Sequence, residues 1–339
     1  MMSDHALPDP VRWGVLGAAK IARDRIIPAL AASPWCEAVA LASRSADTAR
    51  ETAAAFGIAR SYVSYDALLA DPEVEAVYIP VPNHLHVALS LAALRAGKHV
   101  LCEKPVALTA AEAAALREKP AHLLFSEGFM VRHHPQWRMV RNLIRDGAIG
   151  PLRAITLSLT IANEDPDNVR NNPAFGGGAV YDLGCYAVVT GRYFFEGEPA
   201  RVIMLEDRDP RFGIDRQASA ILDYGDGRQQ SVSIGMQNGA SQRVLLIGAR
   251  GRIEMMAPYI PDATEPPLVT LSTSLGLDAE TVTVLPTEAA DQYERQVTHF
   301  ARAIRGLEAE LWGVEDAIAQ MRVIDALFAS ARTQSWRSV

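Results

Sequence analysis

The sequence has 339 residues, 49% of them hydrophobic and 22% charged, with a formal net charge of −7. That length suits about two domains of ordinary globular composition. No Lys/Arg block occurs, so nucleic acid and anionic membrane surfaces are not expected partners. No apolar run reaches the roughly 18 residues of a membrane-spanning helix. The opening "MMSDHALPDPVRWG" lacks the apolar core of a secretory signal. Cys36, Cys102 and Cys185 are far apart and odd in number, with no CxxC, which leads us to expect reduced thiols and a cytoplasmic protein.

The first half alternates strand and helix. "VRWGVLG" (11–17) is an apolar strand ending in glycine, and "AKIARDRIIPALAAS" follows with helical character. "EAVALASR" (37–44) and the β-branched run "VEAVYIPVP" (74–82) read as strands buried on both faces. "HLHVALSLAALRAGK" is a helix closing at Gly97, "HVLCEKP" (99–105) a further strand, and "TAAEAAALREK" (109–119) a further helix. This alternation predicts a doubly wound parallel sheet in a Rossmann-type domain over 1–122.

The texture changes after that. "ITLSLTI" (155–161) and "SVSIGMQ" (231–237) alternate apolar and polar residues strictly. "ASAILDY", "RVLLIG", "RIEMM", "VTLSTS" and "TVTVLP" are further short strands. One-faced alternation predicts a large open, mostly antiparallel sheet in an α+β domain over 123–339. The last helix, "GVEDAIAQMRVIDALFASAR" (313–332), offers Met321, Ile324, Leu327 and Phe328 to a core.

Two places in the first half suggest a dinucleotide. The turn Gly17-Ala18-Ala19-Lys20-Ile21-Ala22 follows a strand and opens a helix. It is a Gly-x-Ala-x-x-Ala variant of the glycine fingerprint, degraded at Ala19, where backbone should approach a pyrophosphate. An ordinary strand-to-helix turn is the alternative. The second strand ends in Ser43 and Arg44, with no acid before Asp47. A carboxylate there would repel a 2′-phosphate and a guanidinium would bind it, so NADP is expected in preference to NAD. A solvated loop arginine is the competing reading. Asn83 and His84 follow another strand end, on the edge where such sheets bind ligands.

"WGVLGAAKIA", "LCEKPVALT", "EGFMVRHHPQ" and "GGGAVYDLGCY" occur in this order at fitting distances. Together they resemble the glucose–fructose oxidoreductase/inositol dehydrogenase/MocA family over nearly the whole chain. The Asp-x-x-x-Tyr at 182–186, where inositol-dehydrogenase-like members carry His, resembles the branch holding NADP-dependent D-xylose dehydrogenases and dimeric dihydrodiol dehydrogenases. The resemblance implies nicotinamide-dependent chemistry at a hydroxyl-bearing carbon of a sugar, cyclitol or diol. It implies that Lys104 lies beside the nicotinamide, that Asp182 and Tyr186 face the same site, and that copies associate as dimers or tetramers through the open sheet. Pro80, Asn83, His84 and Glu103 carry over as cofactor contacts. His134, with Arg132 beside it, carries over toward the substrate.

Removing hydride from a carbinol leaves a hydroxyl proton to be taken by a base within hydrogen-bond reach. Tyr186 suits that role if a cation favours its phenolate, which Lys104 would supply. Asp182, four residues earlier, would share its helix face and orient the lysine or bind a substrate hydroxyl. No metal-ligand spacing accompanies the histidines, so no metal is expected. Two other activities fit the same residues: aldose–aldose transhydrogenation with a retained cofactor, and a non-catalytic dinucleotide-binding regulator, against which Lys104 and Tyr186 argue.

Overall fold

The computed structural model describes residues 9–276, 281–309 and 312–339. Residues 1–8, most of the opening stretch read above, lie outside the described residues. Two compact units emerge. The first takes the chain through Ala107, then Ala111–Met130 and Asp291–Ala317; the second takes Leu108–Ala110, Val131–Ala290 and Ile318–Val339. A single cut after residue 122 therefore differs from this division, because 123–130 and 291–317 pack with the first unit.

The first unit holds β1 (Val11–Leu16), β2 (Cys36–Ala42), β3 (Arg60–Tyr62), β4 (Ala76–Ile79), β5 (His99–Cys102) and β6 (Phe125–Glu127). All pairings are parallel, in the order β3-β2-β1-β4-β5-β6. That is the doubly wound dinucleotide-binding order, whose direction reverses between β1 and β4. The apolar runs follow from burial on both faces: Trp13, Val15, Val77, Tyr78, Val100 and Leu101 are fully buried. The returning helix Gln292–Ile304 sets Phe300 against Trp13, ring centroids 5.7 Å apart. Arg305 then bonds Glu75 at 2.9 Å.

The second unit is built on β7 (Leu152–Ala162), β8 (Arg201–Arg208), β9 (Asp215–Asp223), β10 (Gln229–Gly235), β11 (Gln237–Gly248), β12 (Gly251–Met255), β13 (Val269–Ser272), β14 (Val282–Val284) and β15 (Arg337–Ser338). Among the described residues these form one sheet, ordered β14-β13-β12-β11-β7-β10-β9-β8-β15. Only the central β7–β10 pair is parallel. The alternation read in β7 and β10 is a real two-faced pattern. Ile155, Leu157, Leu159, Val232 and Ile234 point inward, where the helical segment Val180–Phe195 covers them. The outer face exposes Leu205, Ile221 and Ile247. In the last helix, Val314–Thr333, Met321, Ile324 and Leu327 are buried as expected, and Phe328 packs on Tyr181.

Candidate active site

The candidate residues are divided between the two units. In the first unit they gather at the C-terminal edge of the parallel sheet. β1 ends at Gly17, whose φ of +132° is in the region that favours glycine, and Pro80 and Val81 lie against it. Ala18 and Ala19 lead directly into the helix that begins at Lys20, with Ile21 in its first turn. The first amides of a helix have no acceptor within it, and this helix begins at the sheet edge where an anion would sit. The turn thus fits a pyrophosphate even with alanine at position 19. Lys20 is exposed and ion-paired with Asp24 one turn on. At the end of β2, Ser43 is half-buried and Arg44 exposed, while Asp47 is engaged by Arg50 at 2.6 Å. No carboxylate is thereby presented at the strand tip itself.

Two further strand ends complete this cluster. After β4 and Pro80, Asn83 and His84 form a 3-10 turn. After β5 come Glu103 and Lys104, with Lys104-Pro105 in the cis form. Glu103 has structural work that its motif does not reveal. Its Oε1 accepts from the buried Tyr78 hydroxyl at 2.6 Å, and its Oε2 from the Lys104 N–H at 3.3 Å. Burial first, and then the Glu103 charge, push the Tyr78 hydroxyl well above the usual tyrosine range, so it stays a donor. His86 ties the two strand-end loops together. Its ring nitrogens lie 2.7 Å from the carbonyls of Val81 and Pro105. Burial holds it down to about 4, against the pull of both carbonyls.

In the second unit the "GGGAVYDLGCY" stretch opens the covering helix. Val180–Gly184 is a π-helical turn, followed by α-helix from Cys185 to Phe195. Asp182 and Tyr186 are therefore not related by a plain α-helical turn, since i→i+5 bonding widens the spiral between them. Such insertions are frequent at functional sites. Asp182 does not stand alone: Arg170, from the loop after β7, donates to its Oδ2 at 2.8 Å. Tyr186 is 8% exposed, and its ring lies against Tyr259 at 5.4 Å. Cys185 is buried, with its carbonyl held by Gln320 at 2.6 Å, as expected of a packing residue.

His134 and Arg132 are both buried. His134 caps the helix Pro135–Arg145, its Nδ1 accepting from the Gln136 N–H at 3.1 Å. Its sequence position alone suggests a pocket residue, not a helix cap. Sequence reasoning missed Arg170, because its partner is set by a loop conformation. It also missed Asp215 of β9, whose Oδ2 accepts from the Val180 N–H at 2.6 Å. Alternation would expose or bury Asp215 without saying whose backbone it meets.

Comparison with known proteins agrees with the two folds described above. Residues 11–122 match the model of an oxidoreductase family with an NAD-binding Rossmann fold, and residues 137–254 match the GFO/IDH/MocA C-terminal domain. A D-xylose 1-dehydrogenase (NADP(+)) from Haloferax volcanii is 36% identical, across 95% of this chain and 97% of that protein. A trans-1,2-dihydrobenzene-1,2-diol dehydrogenase from Xenopus tropicalis is 28% identical, across 80% and 88%. A crystal structure of a 3-ketoreductase from Actinomadura kijaniata, in complex with NADP and TDP-benzene, superposes with a TM-score of 0.87. It is 34% identical, with 95% of this chain and 98% of that one covered.

The family match and these relatives mark the chain as an oxidoreductase with an NAD-binding Rossmann unit. This chain belongs to the GFO/IDH/MocA oxidoreductase family, and both of that family's domains are present.

Proposed function

We propose that the protein transfers hydride between the CH–OH carbon of an aldose or vicinal diol and NADP. The observation that carries this reading is its 36% identity to an NADP-dependent D-xylose dehydrogenase in a chain that has Lys104, Asp182 and Tyr186 at the family's motif positions. The Gly17–Ile21 turn, Ser43, Arg44, Pro80, Asn83, His84 and Glu103 would hold the dinucleotide. The exposed Arg44, with Asp47 already paired to Arg50, favours a 2′-phosphate there. When bound, NADP supplies the hydride-accepting nicotinamide.

The chain's own residues handle the proton and the substrate. Tyr186 takes the hydroxyl proton in oxidation and returns it in reduction. Lys104 stabilises the negative charge that develops on the reacting oxygen. Asp182, already oriented by Arg170, accepts from a neighbouring substrate hydroxyl, and Arg132 and His134 serve the substrate side as well. We further propose that copies pair through the outer sheet face around Leu205, Ile221 and Ile247. The three free cysteines support a cytoplasmic setting. Among the described residues, no helix is long and apolar enough to cross a membrane.

A second reading is the reverse direction on a nucleotide-linked keto sugar. The 3-ketoreductase likeness favours it, and the same Tyr186 would then donate the proton. The test is a substrate panel. Purified protein is mixed with NADP and D-xylose, D-glucose, L-arabinose or a trans-dihydrodiol, and with reduced cofactor and a TDP-linked 3-keto sugar. Growth of the reduced-cofactor absorbance with an aldose or diol supports the first reading, and its loss only with the keto sugar supports the second. Tight NADP binding without turnover on any of them overturns both.

A further inference from the structure

We infer that Asp215 is a positioning residue for Tyr186: from β9 it fixes where the helix bearing Asp182 and Tyr186 begins. The inference rests on the assignment of Tyr186 above. Asp215 is 2% exposed, an unusual place for a carboxylate. Its Oδ2 accepts from the Val180 N–H, an amide at the start of the helix that has no partner within its own turn. Gly178, whose carbonyl accepts the first bond of the helix, has no side chain with which to reach that amide. The partner thus comes from 35 positions further along the chain.

That distance in sequence matters. A Ser or Thr at the cap position would satisfy the amide equally well. It would travel with the helix, however, and leave the helix free to shift along the sheet. A carboxylate rooted in β9 ties the helix start to the sheet itself. The glycines make room for it. A Cβ on Gly178, whose φ is +120°, would lie 2.1 Å from Asp215 Oδ1. A Cβ on Gly177 would lie 2.3 Å from the carbonyl oxygen of Arg170. That carbonyl accepts from the Gly178 N–H at 3.0 Å, and the Gly178 carbonyl from the Asp182 N–H at 3.1 Å. With the Arg170–Asp182 pair, these bonds run from β9 through the helix start to the loop and back to Asp182. The helix N-terminus favours negative charge beside it. Burial opposes that charge and, with help from Glu206, raises the carboxyl to about 7 against the pull of the Val180 amide and Arg208.

The test combines a double-mutant cycle with hydrogen exchange on the full-length protein. Asp215→Ala, or Asp215→Ser should the alanine variant not fold, is assayed with NADP and D-xylose alone and together with Tyr186→Phe. The expected result is a kcat at least tenfold lower, with the NADP dissociation constant unchanged. Asp215→Asn, which keeps an acceptor oxygen, should rescue most of that loss. The effect should vanish in the Tyr186→Phe background, because Asp215 acts through that tyrosine. Equal losses in both backgrounds would overturn the inference. Hydrogen exchange needs no turnover: amides of 180–186 should exchange at least tenfold faster in the Asp215 variant, with the first unit unchanged. Unaltered exchange there would overturn the inference even if D-xylose is not a substrate. A fully active Tyr186→Phe enzyme together with faster exchange would instead refute the assignment of Tyr186.

Discussion

Arg170 and Asp182 form an ion pair, Nε to Oδ2 at 2.8 Å, that joins a surface loop to the start of the Tyr186 helix. Asp182 is largely shielded and Arg170 about half exposed, so the pair contributes little to stability, about 0.2–1 kcal/mol for such a contact. In the proposed function its weight falls on substrate binding. Arg170→Ala should raise KM for an aldose several-fold and shift the melting temperature only slightly. Titration of NADP into the variant should give the wild-type dissociation constant. Weaker NADP binding with an unchanged KM would place Arg170 elsewhere in the scheme.

Arg44 at the tip of β2 sets cofactor choice in this account. Arg44→Asp should move the preference from NADP toward NAD, because a carboxylate repels the 2′-phosphate and accepts from ribose hydroxyls. The ratio of kcat/KM for the two cofactors measures it. A ratio that does not move would mean that the phosphate is read by another residue.

The Tyr78–Glu103 bond holds the backbone that leads into Lys104. Tyr78→Phe removes one donor to that carboxylate, and loss of such a bond to a charged group costs about 1–3 kcal/mol. Urea unfolding should show a loss of that order, together with a lower kcat. Unchanged stability would show that Glu103 does not depend on Tyr78.

His86 predicts a pH dependence with a definite sign. Its folded-state value, about 4, is below the ordinary value of 6.5, so between these limits the unfolded chain binds more protons. The stability that the neutral buried ring contributes is complete above pH 6.5 and is lost as pH falls toward 4. The slope is at most about 1.4 kcal/mol per pH unit. Half-buried His99 shifts in the same direction, so the comparison should be with His86→Gln, in which His99 is retained. The advantage of wild type over this variant in unfolding free energy should shrink on acidification through that window. An advantage that grew would reverse the assignment of the neutral ring.

The parallel strands that build the cofactor edge were legible because full burial writes a continuous apolar run, as in β1 and β4. β7 and β10 were legible because one-faced burial writes an alternation. Three-residue strands such as β3 and β6 carry too short a pattern to recognise. The return of Gln292–Ile304 to the first unit leaves no mark, since an amphipathic helix does not name the surface it will cover. Lys104, Asp182 and Tyr186 became candidates through motifs. Arg170 and Asp215 were not, because each is defined by a partner that only the folded chain brings near. The π turn at Val180–Gly184 is likewise invisible to a rule that counts in α-helical turns.

The most direct measurement is the chemical step in Tyr186→Phe with NADP and D-xylose, followed as reduced-cofactor absorbance beside an NADP-binding titration. Removing one hydroxyl should lower kcat by about 10²–10⁴-fold, the usual worth of a positioned acid–base group, while NADP affinity stays at the wild-type value. Wild-type turnover by that variant would contradict the role given to Tyr186.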